Sequence, residues 1–227
     1  MDNYVIIVAG GTGSRMGVEL PKQFRLLAGK PLLMHSIRAF YSYDSTIRII
    51  VSLHADFIEA WRHLCKKHTF TIPHQIIAGG ETRFHSVRNA LSTISGDGLV
   101  AVHDAARPLV SVDLISESFC EAIIHGTAVP GIPVNETVRS ILDGKASIVD
   151  RTYLWIVQTP QTFGIALLKK AYEQEFQPGF TDDASLLEAM GMQIHMIPGN
   201  PRNIKITLPG DIQIAELFIG QSGTSKE

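Results

Sequence analysis

Residues 4–17 read YVIIVAGGTGSRMG, and this stretch decides the fold class. The run Tyr4–Ala9 is apolar, rich in β-branched residues and followed by glycines, which is typical of a strand buried on both faces of a sheet. The turn that follows allows backbone N–H groups to approach a phosphate closely, because glycine has no Cβ and tolerates positive φ. The stretch therefore predicts an α/β protein with a phosphate-binding turn after its first strand.

Outward from this stretch, short apolar runs alternate with helical patterns. Strands are predicted over Arg48–Leu53, Gln75–Ala78, Leu99–His103 and Thr127–Val134, and helices from Pro31, over Asp56–His68, around Val87–Ile94 and from Ser111 to His125. This alternation predicts a mostly parallel, doubly wound, Rossmann-like sheet with helices on both faces. Pro130 and Pro133 lack the backbone N–H of a strand ladder, so they predict that their strand is an edge strand or is bent.

The last third of the chain continues the alternation with shorter elements. Helices are predicted over Ile165–Glu175, Asp182–Met190 and Asp211–Ile219, strands over Gln193–Ile197 and Asn203–Thr207, and a disordered tail from Gln221. Residues 1–227 are therefore expected to form a single domain of the nucleotidyltransferase type once the motifs below are considered.

One segment, at about residues 135–157, departs from the alternation. Glu136–Ile141 and Ala146–Val149 flank Asp143-Gly144, which supplies the positive φ angles of a type I′ turn. A two-stranded ribbon is marginally stable alone. The segment is therefore either an arm that packs on a second subunit or a hairpin lying on its own domain.

Composition excludes several classes of protein. The formal net charge is −2 and 45% of the 227 residues are apolar, so no strong attraction to nucleic acid or to an anionic membrane is expected. Cys65 and Cys120 are too few for a disulfide framework, and no early apolar run is long enough for a signal peptide, which predicts a cytoplasmic protein. The nine histidines show no metal-ligand spacing, so no metal site built by the protein is predicted.

The first glycine loop differs from two common phosphate-binding motifs. It lacks the Gly-Lys-Ser/Thr ending of a P-loop, and Met16 stands where a dinucleotide fingerprint requires glycine or alanine. It carries two cations instead, Arg15 and Lys22, which suit a triphosphate whose charge shifts during reaction. A tight turn with two solvated cations is the simpler alternative.

Two further loops follow predicted strands. Gly79–Val87 contains Gly80, which permits close backbone approach, with Glu81 and Ser86 able to bond a base or a ribose; Arg83 is either a ligand contact or a salt-bridge partner. His103–Pro108 places Asp104 and Arg107 three residues apart, which suits a diol with a phosphate, a metal contact, or an internal ion pair. Because ligands bind at the carboxyl ends of parallel strands, we expect these loops to face the first.

The remaining candidates are scattered through the second half of the chain. Each is weak alone; they are Thr137, Asp150-Arg151, Thr159-Pro160-Gln161, Thr181-Asp182-Asp183 and Asn203-Ile204-Lys205. Lys205 lies in an apolar pattern, where an unpaired charge is costly, so a partner or an anionic ligand is expected. Asp182 and Asp183 are alternatively simple complements of a helix N-terminus.

Taken in order, these motifs resemble a known family. The motifs are Ala-Gly-Gly-x-Gly-x-Arg-Met with Pro-Lys-Gln-Phe, Gly-Gly-x-x-Arg-x-x-Ser-Val, His-Asp-Ala-Ala-Arg-Pro, Asp-Arg, Thr-Pro-Gln, Thr-Asp and Asn-Ile-Lys. From Val5 to Ile219 the chain is similar to the 2-C-methyl-D-erythritol 4-phosphate cytidylyltransferases of the non-mevalonate isoprenoid pathway. Glu81 departs from the aspartate expected in some relatives.

The resemblance implies a reaction and a set of roles. CTP and methylerythritol phosphate would give the cytidine diphosphate product and pyrophosphate, with Mg²⁺ held mainly by substrate phosphates. Catalytic roles would fall to Arg15, Lys22, Arg151 and Lys205, and nucleotide binding to Ala9, Gly10, Gly11, Gly13, Gly80, Glu81, Ser86 and Ala105. Substrate contacts would come from Asp104, Arg107, Thr137, Thr159 and Thr181, and the arm would form a homodimer in which Thr137 and Arg151 serve the partner's site.

Other functions remain open at this point. A ribitol-5-phosphate cytidylyltransferase would use the same chemistry; that group is expected to carry a bulkier residue where Ala106 stands. A sugar-1-phosphate nucleotidyltransferase using UTP or GTP is a second alternative, and a non-catalytic nucleotide-binding module is a third.

Overall fold

The computed structural model describes residues 2–10 and 21–222. The strands are β1 (Asp2–Ala9), β2 (Leu26–Leu27), β3 (Lys30–Pro31), β4 (Arg48–Leu53), β5 (Gln75–Ala78), β6 (Gly98–Asp104), β7 (Thr127–Pro133), β8 (Val138–Leu142), β9 (Lys145–Val149), β10 (Trp155–Val157), β11 (Gln161–Gly164) and β12 (Met196–Pro198). The α-helices are α1 (Leu32–Tyr43), α2 (Ile58–Lys67), α3 (Arg83–Ser92), α4 (Val112–His125), α5 (Ile165–Ala171), α6 (Ala184–Glu188) and α7 (Pro209–Ser222).

The central sheet confirms the predicted α/β class. Its strand order is β10-β7-β11-β6-β1-β4-β5, with β12 paired to β7. The four strands β6, β1, β4 and β5 are parallel to one another, whereas β11 runs antiparallel between β6 and β7. The carboxyl ends of the four parallel strands therefore meet at one edge of the sheet, where the predicted loops begin.

Helices cover both faces of the sheet, as a doubly wound fold requires. Alternate residues of β1 point to opposite faces: Val5 and Ile7 pack with α1, α2 and α4, whereas Tyr4 and Ile6 pack with α3, α5 and α6. Burial of β1 on both sides explains its continuous apolar sequence.

Five boundary predictions needed correction. The helix expected over Asp56–His68 begins as a 3₁₀ turn at Ala55–Phe57. The helices predicted over Ile165–Glu175 and Asp182–Met190 are shorter, as α5 and α6. The strand predicted over Gln193–Ile197 lies later, at Met196–Pro198, where it pairs with β7. The helix α7 continues through Gln221, which was expected to begin a disordered tail; residues 223–227 lie outside the described residues.

The strand predicted over Asn203–Thr207 is absent. Ile206 donates its backbone N–H to the Ala106 carbonyl at 2.7 Å, and the Asn203 side chain donates to the Thr159 carbonyl at 2.8 Å. These separate tertiary bonds hold the segment in place, so it forms no ladder although its apolar alternation is that of a strand. Lys205 is therefore carried on an irregular segment.

The prolines of β7 do not place it at an edge. β7 is paired to β11 and β10 along one side and to β12 along the other. Pro130 lacks an N–H but still accepts a bond through its carbonyl from the Gln158 N–H, at 2.7 Å. Proline is tolerated here because its neighbours use the carbonyl alone at that position.

The predicted hairpin is present as β8 and β9. Asp143 and Gly144 have φ of 49° and 75°, which are the two positive values of a type I′ turn. The hairpin packs little on its own chain: Ile141 is 73% exposed and Ile148 is 71% exposed. The chain then returns to the sheet, since β10 pairs with β7.

None of the helices formed by the described residues combines the length and the apolar character needed to cross a membrane.

Candidate active site

A cleft of about 750 Å³ opens at the carboxyl ends of the parallel strands. It is lined by many of the predicted residues, which are Ala9, Gly10, Lys22, Gly80, Glu81, Ser86, Asp104, Ala105 and Lys205. They arrive from loops after β1, β5 and β6 and from the segment before α7. The topology thus brings together motifs that are up to about 200 residues apart in sequence.

The wall formed by residues 79–86 is a close-packed turn. A Cβ at Gly80 would lie 2.4 Å from the Cβ of His85, so only glycine fits without movement of the backbone. Ser86 Oγ accepts a bond from the Gly80 N–H at 3.1 Å and donates to the Thr82 carbonyl at 2.9 Å. Thr82 caps α3 by accepting from the His85 N–H. Ser86 therefore shapes the wall of the cleft as well as lining it.

Asp104 lies at the end of β6 between two cations. Lys205 Nζ is 2.7 Å from Oδ2 of Asp104, and Arg83 Nε is 3.5 Å from Oδ1. Burial raises the pKa of Asp104, but the nearby charges of Arg83 and Lys205 outweigh that effect and hold its pKa well below the usual range. The carboxylate is therefore ionised, and Lys205, which sequence reasoning expected to need a partner, has one.

Arg83 joins the cleft to the helical layer behind it. Its Nη2 is 2.5 Å from Oδ2 of Asp183, whose side chain is fully buried. Tyr172 donates its hydroxyl to the other oxygen of Asp183 at 2.6 Å. Burial works against the charged form of Arg83, yet Asp183 and Asp104 raise its pKa above the ordinary value. Of the two alternatives for Arg83, the structure shows the ion pair.

A buried chain of hydrogen bonds supports Asp104 from behind. The Asp104 N–H donates to Thr159 Oγ1 at 3.1 Å, and Thr159 Oγ1 lies 3.0 Å from His103 Nδ1. His103 Nε2 is 3.0 Å from the Arg107 carbonyl, which can only accept, so Nε2 carries the proton. Burial lowers the pKa of His103 to about 4. His103 is thus a packed, neutral residue, as its position at a strand end predicted.

Arg107 and Thr159 were predicted to contact substrate, and both are buried behind the cleft. Arg107 donates from Nη1 to the Asn203 carbonyl at 2.8 Å and from Nη2 to the Val157 carbonyl at 3.2 Å. Arg107 Nε and Asn203 Oδ1 are buried with no partner among the described residues. In this arrangement Arg107 connects the turn after β6 to the segment that carries Lys205 through a hydrogen bond to the Asn203 carbonyl. Its contact with substrate stays a prediction.

Six other predicted residues either do not line the described part of the cleft or lie outside the described residues. Thr137 and Arg151 are exposed at the base of the hairpin, where Arg151 donates to the Asn135 carbonyl, and Thr181 is exposed before α6. Gly11, Gly13 and Arg15 fall outside the residues that the structure describes.

Sequence reasoning missed several residues of the cleft. Gln23 is 2% exposed and donates from Nε2 to the Ala9 carbonyl at 2.6 Å, which attaches the end of β1 to the segment after the first loop. His54 and Ala55 line the opposite wall. The only signal for Gln23 was its position in the Pro-Lys-Gln-Phe motif, and nothing local marked Asp183 as the partner of Arg83.

Asp182 belongs to the helix cap. Its Oδ1 accepts from the Ser185 N–H at 2.9 Å, which is the complementing role that the sequence left open. Its Oδ2 accepts from Gln161 Nε2 at 2.8 Å. Gln161 in turn accepts, through its Oε1, from the Asp183 and Ala184 N–H groups. The Thr-Pro-Gln and Thr-Asp motifs are therefore in direct contact.

Comparison with known proteins identifies the family. The family model IspD, described as 2-C-methyl-D-erythritol 4-phosphate cytidylyltransferase, matches residues 3–221. The protein of that name from Bacteroides fragilis is 49% identical over 214 residues, which are 94% of this chain and 98% of the relative.

Solved structures agree with this match. The 2-C-methyl-D-erythritol 4-phosphate cytidylyltransferase of Thermus thermophilus is 31% identical, with a TM-score of 0.75 over 96% of this chain and 98% of that chain. The protein of the same name from Francisella tularensis is 30% identical, with a TM-score of 0.80 over 96% of this chain and 99% of that one. The chain belongs to the family of 2-C-methyl-D-erythritol 4-phosphate cytidylyltransferases.

Proposed function

We propose that this protein joins CTP and 2-C-methyl-D-erythritol 4-phosphate to give 4-diphosphocytidyl-2-C-methyl-D-erythritol and pyrophosphate. The observation that carries the proposal is the cleft in which Asp104 and Lys205 face the glycine walls at the ends of β1 and β5. The family match over residues 3–221, a range that contains all of these motifs, supports the proposal.

The nucleotide half of the cleft is the wall nearer β1 and β5. Gly10, Gly80, Glu81 and Ala105 line this half, and the glycine backbone at Gly10 and Gly80 would face the ligand. Backbone groups and a carboxylate are suited to the polar edge of cytosine and to a ribose diol. Ala9 and Ser86 complete this half.

The acceptor half lies around Asp104. The Asp104 carboxylate accepts hydrogen bonds, which suits the hydroxyl groups of a sugar alcohol, and the exposed end of Lys205 suits its phosphate. Arg107 and Thr159 stabilise this half from behind through their bonds to the backbone and to His103. Thr181 is assigned to the same half from the family motif alone.

The chemistry needs no strong general base. The attacking group is a phosphate monoester, whose second pKa of about 6 leaves it largely dianionic near neutral pH. One of its oxygens attacks the α-phosphorus of CTP in line, and the bond from that phosphorus to the bridging oxygen of pyrophosphate breaks. Lys22, together with Arg15, would neutralise the charge that grows on the departing pyrophosphate.

Mg²⁺ is proposed as the metal, held mainly by the phosphates of CTP. The donor set fits this arrangement, because Asp104 is a buried carboxylate of the cleft whose charge is already compensated by Lys205 and Arg83. Mg²⁺ commonly binds through one or two carboxylates with substrate phosphates and water. Among the described residues that line the cleft, the carboxylates of Asp104 and Glu81 could hold the ion, and the bound ion would offset charge on the phosphates.

A homodimer through the hairpin is also proposed, as is a cytoplasmic location. The hairpin exposes apolar side chains, and Arg151 and Thr137 at its base do not line the described part of the cleft of their own chain. Both observations support an arm at about residues 135–157 that covers a second copy and brings these two residues to the partner's site.

The deciding experiment measures pyrophosphate release with CTP and either methylerythritol phosphate or ribitol 5-phosphate. We expect turnover with methylerythritol phosphate to exceed that with ribitol phosphate, and UTP or GTP in place of CTP to give little product. Faster turnover of ribitol phosphate, or none with either acceptor, would overturn the proposal. Lys22→Ala should lower kcat more than it raises KM; a change in KM alone would favour a module that only binds nucleotide.

A further inference from the structure

A second cluster of chemically versatile side chains lies outside the cleft, at the carboxyl end of α4. Glu121 and His125 are four residues apart on one face of this helix, and His195 reaches the same point from the segment just before β12. One carboxylate oxygen of Glu121 lies close to both imidazoles. Glu121 Oε2 is 3.0 Å from His195 Nε2 and 3.3 Å from His125 Nε2. The ligand atoms of the three residues all lie within 4.8 Å of one another.

These separations suit a metal ion. Two ligand atoms bound at about 2.0–2.1 Å to a tetrahedral Zn²⁺ lie roughly 3.3 Å apart, which is close to both nitrogen–oxygen distances of the cluster. Two imidazoles and one carboxylate form a donor set that zinc sites use, with a fourth position left for water. The donors are nitrogens rather than oxygens in the majority, so the set disfavours Mg²⁺ and Ca²⁺.

The backbone holds these three residues in place. The His195 N–H donates to Thr127 Oγ1 at 3.0 Å, and its carbonyl accepts from the Val129 N–H at 2.9 Å, so both of its backbone groups are bound to β7. The helix α4 ends at Gly126, whose φ of 78° and bond to the Ala122 carbonyl close the last turn. One half of the cluster is therefore carried by a regular helix, and the other by a segment whose backbone is hydrogen-bonded to β7.

Electrostatics favours a cation at this point. His125 is the last residue of α4, where the unpaired carbonyl groups of a helix carry partial negative charge. The Glu121 carboxylate adds a full negative charge. The rings of His125 and His195 are stacked at 3.7 Å with 17° between their planes, so binding of one ion by both Nε2 atoms requires the rings to turn toward it.

We propose that Glu121, His125 and His195 form a Zn²⁺ site that joins the end of α4 to the start of β12. Each imidazole binds through Nε2 in its neutral form and Glu121 binds through one carboxylate oxygen. Zinc replaces the hydrogen bonds between these groups, and any proton on a bound nitrogen passes to solvent. The site is independent of the cleft and of the reaction assigned to it.

The sequence did not predict this site, and the reason is its spacing. Only Glu121 and His125 are close in the chain, and a single Glu-x-x-x-His pair on a helix is not distinctive. His195 is 74 residues from Glu121. The fold alone brings the second imidazole to the pair.

The test uses the untagged full chain after treatment with a chelator, titrated with ZnCl₂ by calorimetry in the absence of CTP. We expect one zinc ion per chain, and at least a tenfold loss of affinity in each of Glu121→Gln, His125→Gln and His195→Gln. Glu117→Gln, on the exposed face of the same helix, and His63→Gln, an exposed histidine of α2, are the matched controls and should bind as the unchanged chain does.

A second readout reports the ligands directly. Co²⁺ bound in place of zinc should give the visible absorption of a four- or five-coordinate ion in the unchanged chain and in both controls, and lose it in the three cluster variants. Zinc should also raise the melting temperature of the unchanged chain but not that of the cluster variants. Absence of zinc binding by the folded chain, or binding that the three substitutions leave unchanged, would overturn the proposal. Loss of pyrophosphate release in the CTP assay would leave this result unaffected.

Discussion

The carboxylate of Asp104 depends on an arginine that lies one layer behind it. Arg83 is shared between Asp104 and the buried Asp183, with 28% of its own side chain exposed. A guanidinium can bond two carboxylates at once, because its five N–H donors are fixed in a planar fork. A lysine in its place keeps the charge but cannot bond both carboxylates with that geometry.

We therefore expect Arg83→Lys to lower kcat/KM for methylerythritol phosphate by about 10-fold to 100-fold, in line with the loss of one charge-assisted bond. The effect should fall mainly on the acceptor substrate and leave the KM for CTP nearly unchanged. Steady-state kinetics with each substrate varied in turn provides the measurement. Arg88→Lys, on the exposed side of the same helix, is the control, and equal effects of the two substitutions would contradict a role for Arg83 in positioning Asp104.

His103 links stability to pH because it is buried in its neutral form. Burial lowers the pKa of His103 from 6.5 to about 4, so the unfolded chain binds its proton at higher pH than the folded chain does. The contribution of His103 is therefore complete above pH 6.5 and is lost as the pH falls toward 4.

We expect the free energy of unfolding to fall between pH 6.5 and 4 more steeply in the unchanged chain than in His103→Gln, by at most about 1.4 kcal/mol per pH unit. Glutamine keeps one donor and one acceptor for the Arg107 carbonyl and Thr159 but cannot titrate. Urea unfolding at half-unit pH steps is the measurement, with His68→Gln at the end of α2 as control. Parallel pH profiles for the unchanged chain and His103→Gln would show that folding does not lower the pKa of His103.

At the scale of elements, α4 begins directly after the turn that carries Asp104. Ser111 caps this helix by accepting from the Leu114 N–H at 3.2 Å, as its sequence position predicted. The cap ends the loop that carries Asp104 and stabilises the first helical turn of α4.

Ser111→Ala should lower the free energy of unfolding by about 1 kcal/mol, the typical value for loss of an N-cap. Ser116→Ala, in the second turn of the same helix, removes a hydroxyl that caps no helix end and should lower the free energy of unfolding by less. Thermal and urea unfolding of the two variants give the comparison. An equal decrease in the free energy of unfolding of the two variants would show that the Ser111 cap does not stabilise the helix.

At the scale of the whole molecule, the arm is the segment whose apolar side chains do not pack on its own chain. Its strands β8 and β9 expose Ile141 and Ile148, and Tyr153 nearby is 81% exposed. Isolated two-stranded ribbons are marginal, and large exposed apolar groups commonly mark an interface.

If the arm forms the proposed homodimer, the double substitution Ile141→Asp with Ile148→Asp should convert it to a monomer. It should also lower kcat/KM, because each proposed site would lose the partner's Arg151 and Thr137. Sedimentation measures the assembly and the CTP assay the activity. Leu217→Asp, at an exposed position of α7, should change neither. A double variant that stays dimeric would argue that the hairpin serves its own chain.

Mixing variants tests whether the sites are shared. Arg151→Ala and Lys22→Ala are each expected to be inactive alone. Mixed, they should regain about one-quarter of full activity when subunits exchange freely, because half of the proposed dimers then carry one intact site of two. Separately purified homodimers that are mixed without exchange provide the control. No recovery after demonstrated exchange would place Arg151 with its own cleft.

The sequence by itself determined most of the elements and of the loops between them. Tyr4–Ala9, Arg48–Leu53 and Gln75–Ala78 follow from local apolar patterns, and Asp143-Gly144 and Ser111 follow from local backbone chemistry. Glycines after β1 and β5 predicted the walls of the cleft for the same reason. Such features depend on neighbours along the chain, so they can be inferred without knowing the fold.

Only the tertiary structure decided the partners of the charged groups. Arg83 and Asp183 are 100 residues apart in the sequence, and Asp104 and Lys205 are 101 residues apart. A buried charge needs a partner of opposite sign, but the sequence does not state which one, because that choice depends on which loops the sheet brings together. The same holds for Asn203–Thr207, whose pattern predicted a strand although its hydrogen bonds to the turn after β6 and to Thr159 keep it irregular. It also holds for His195, which reaches Glu121 only because β12 pairs with β7.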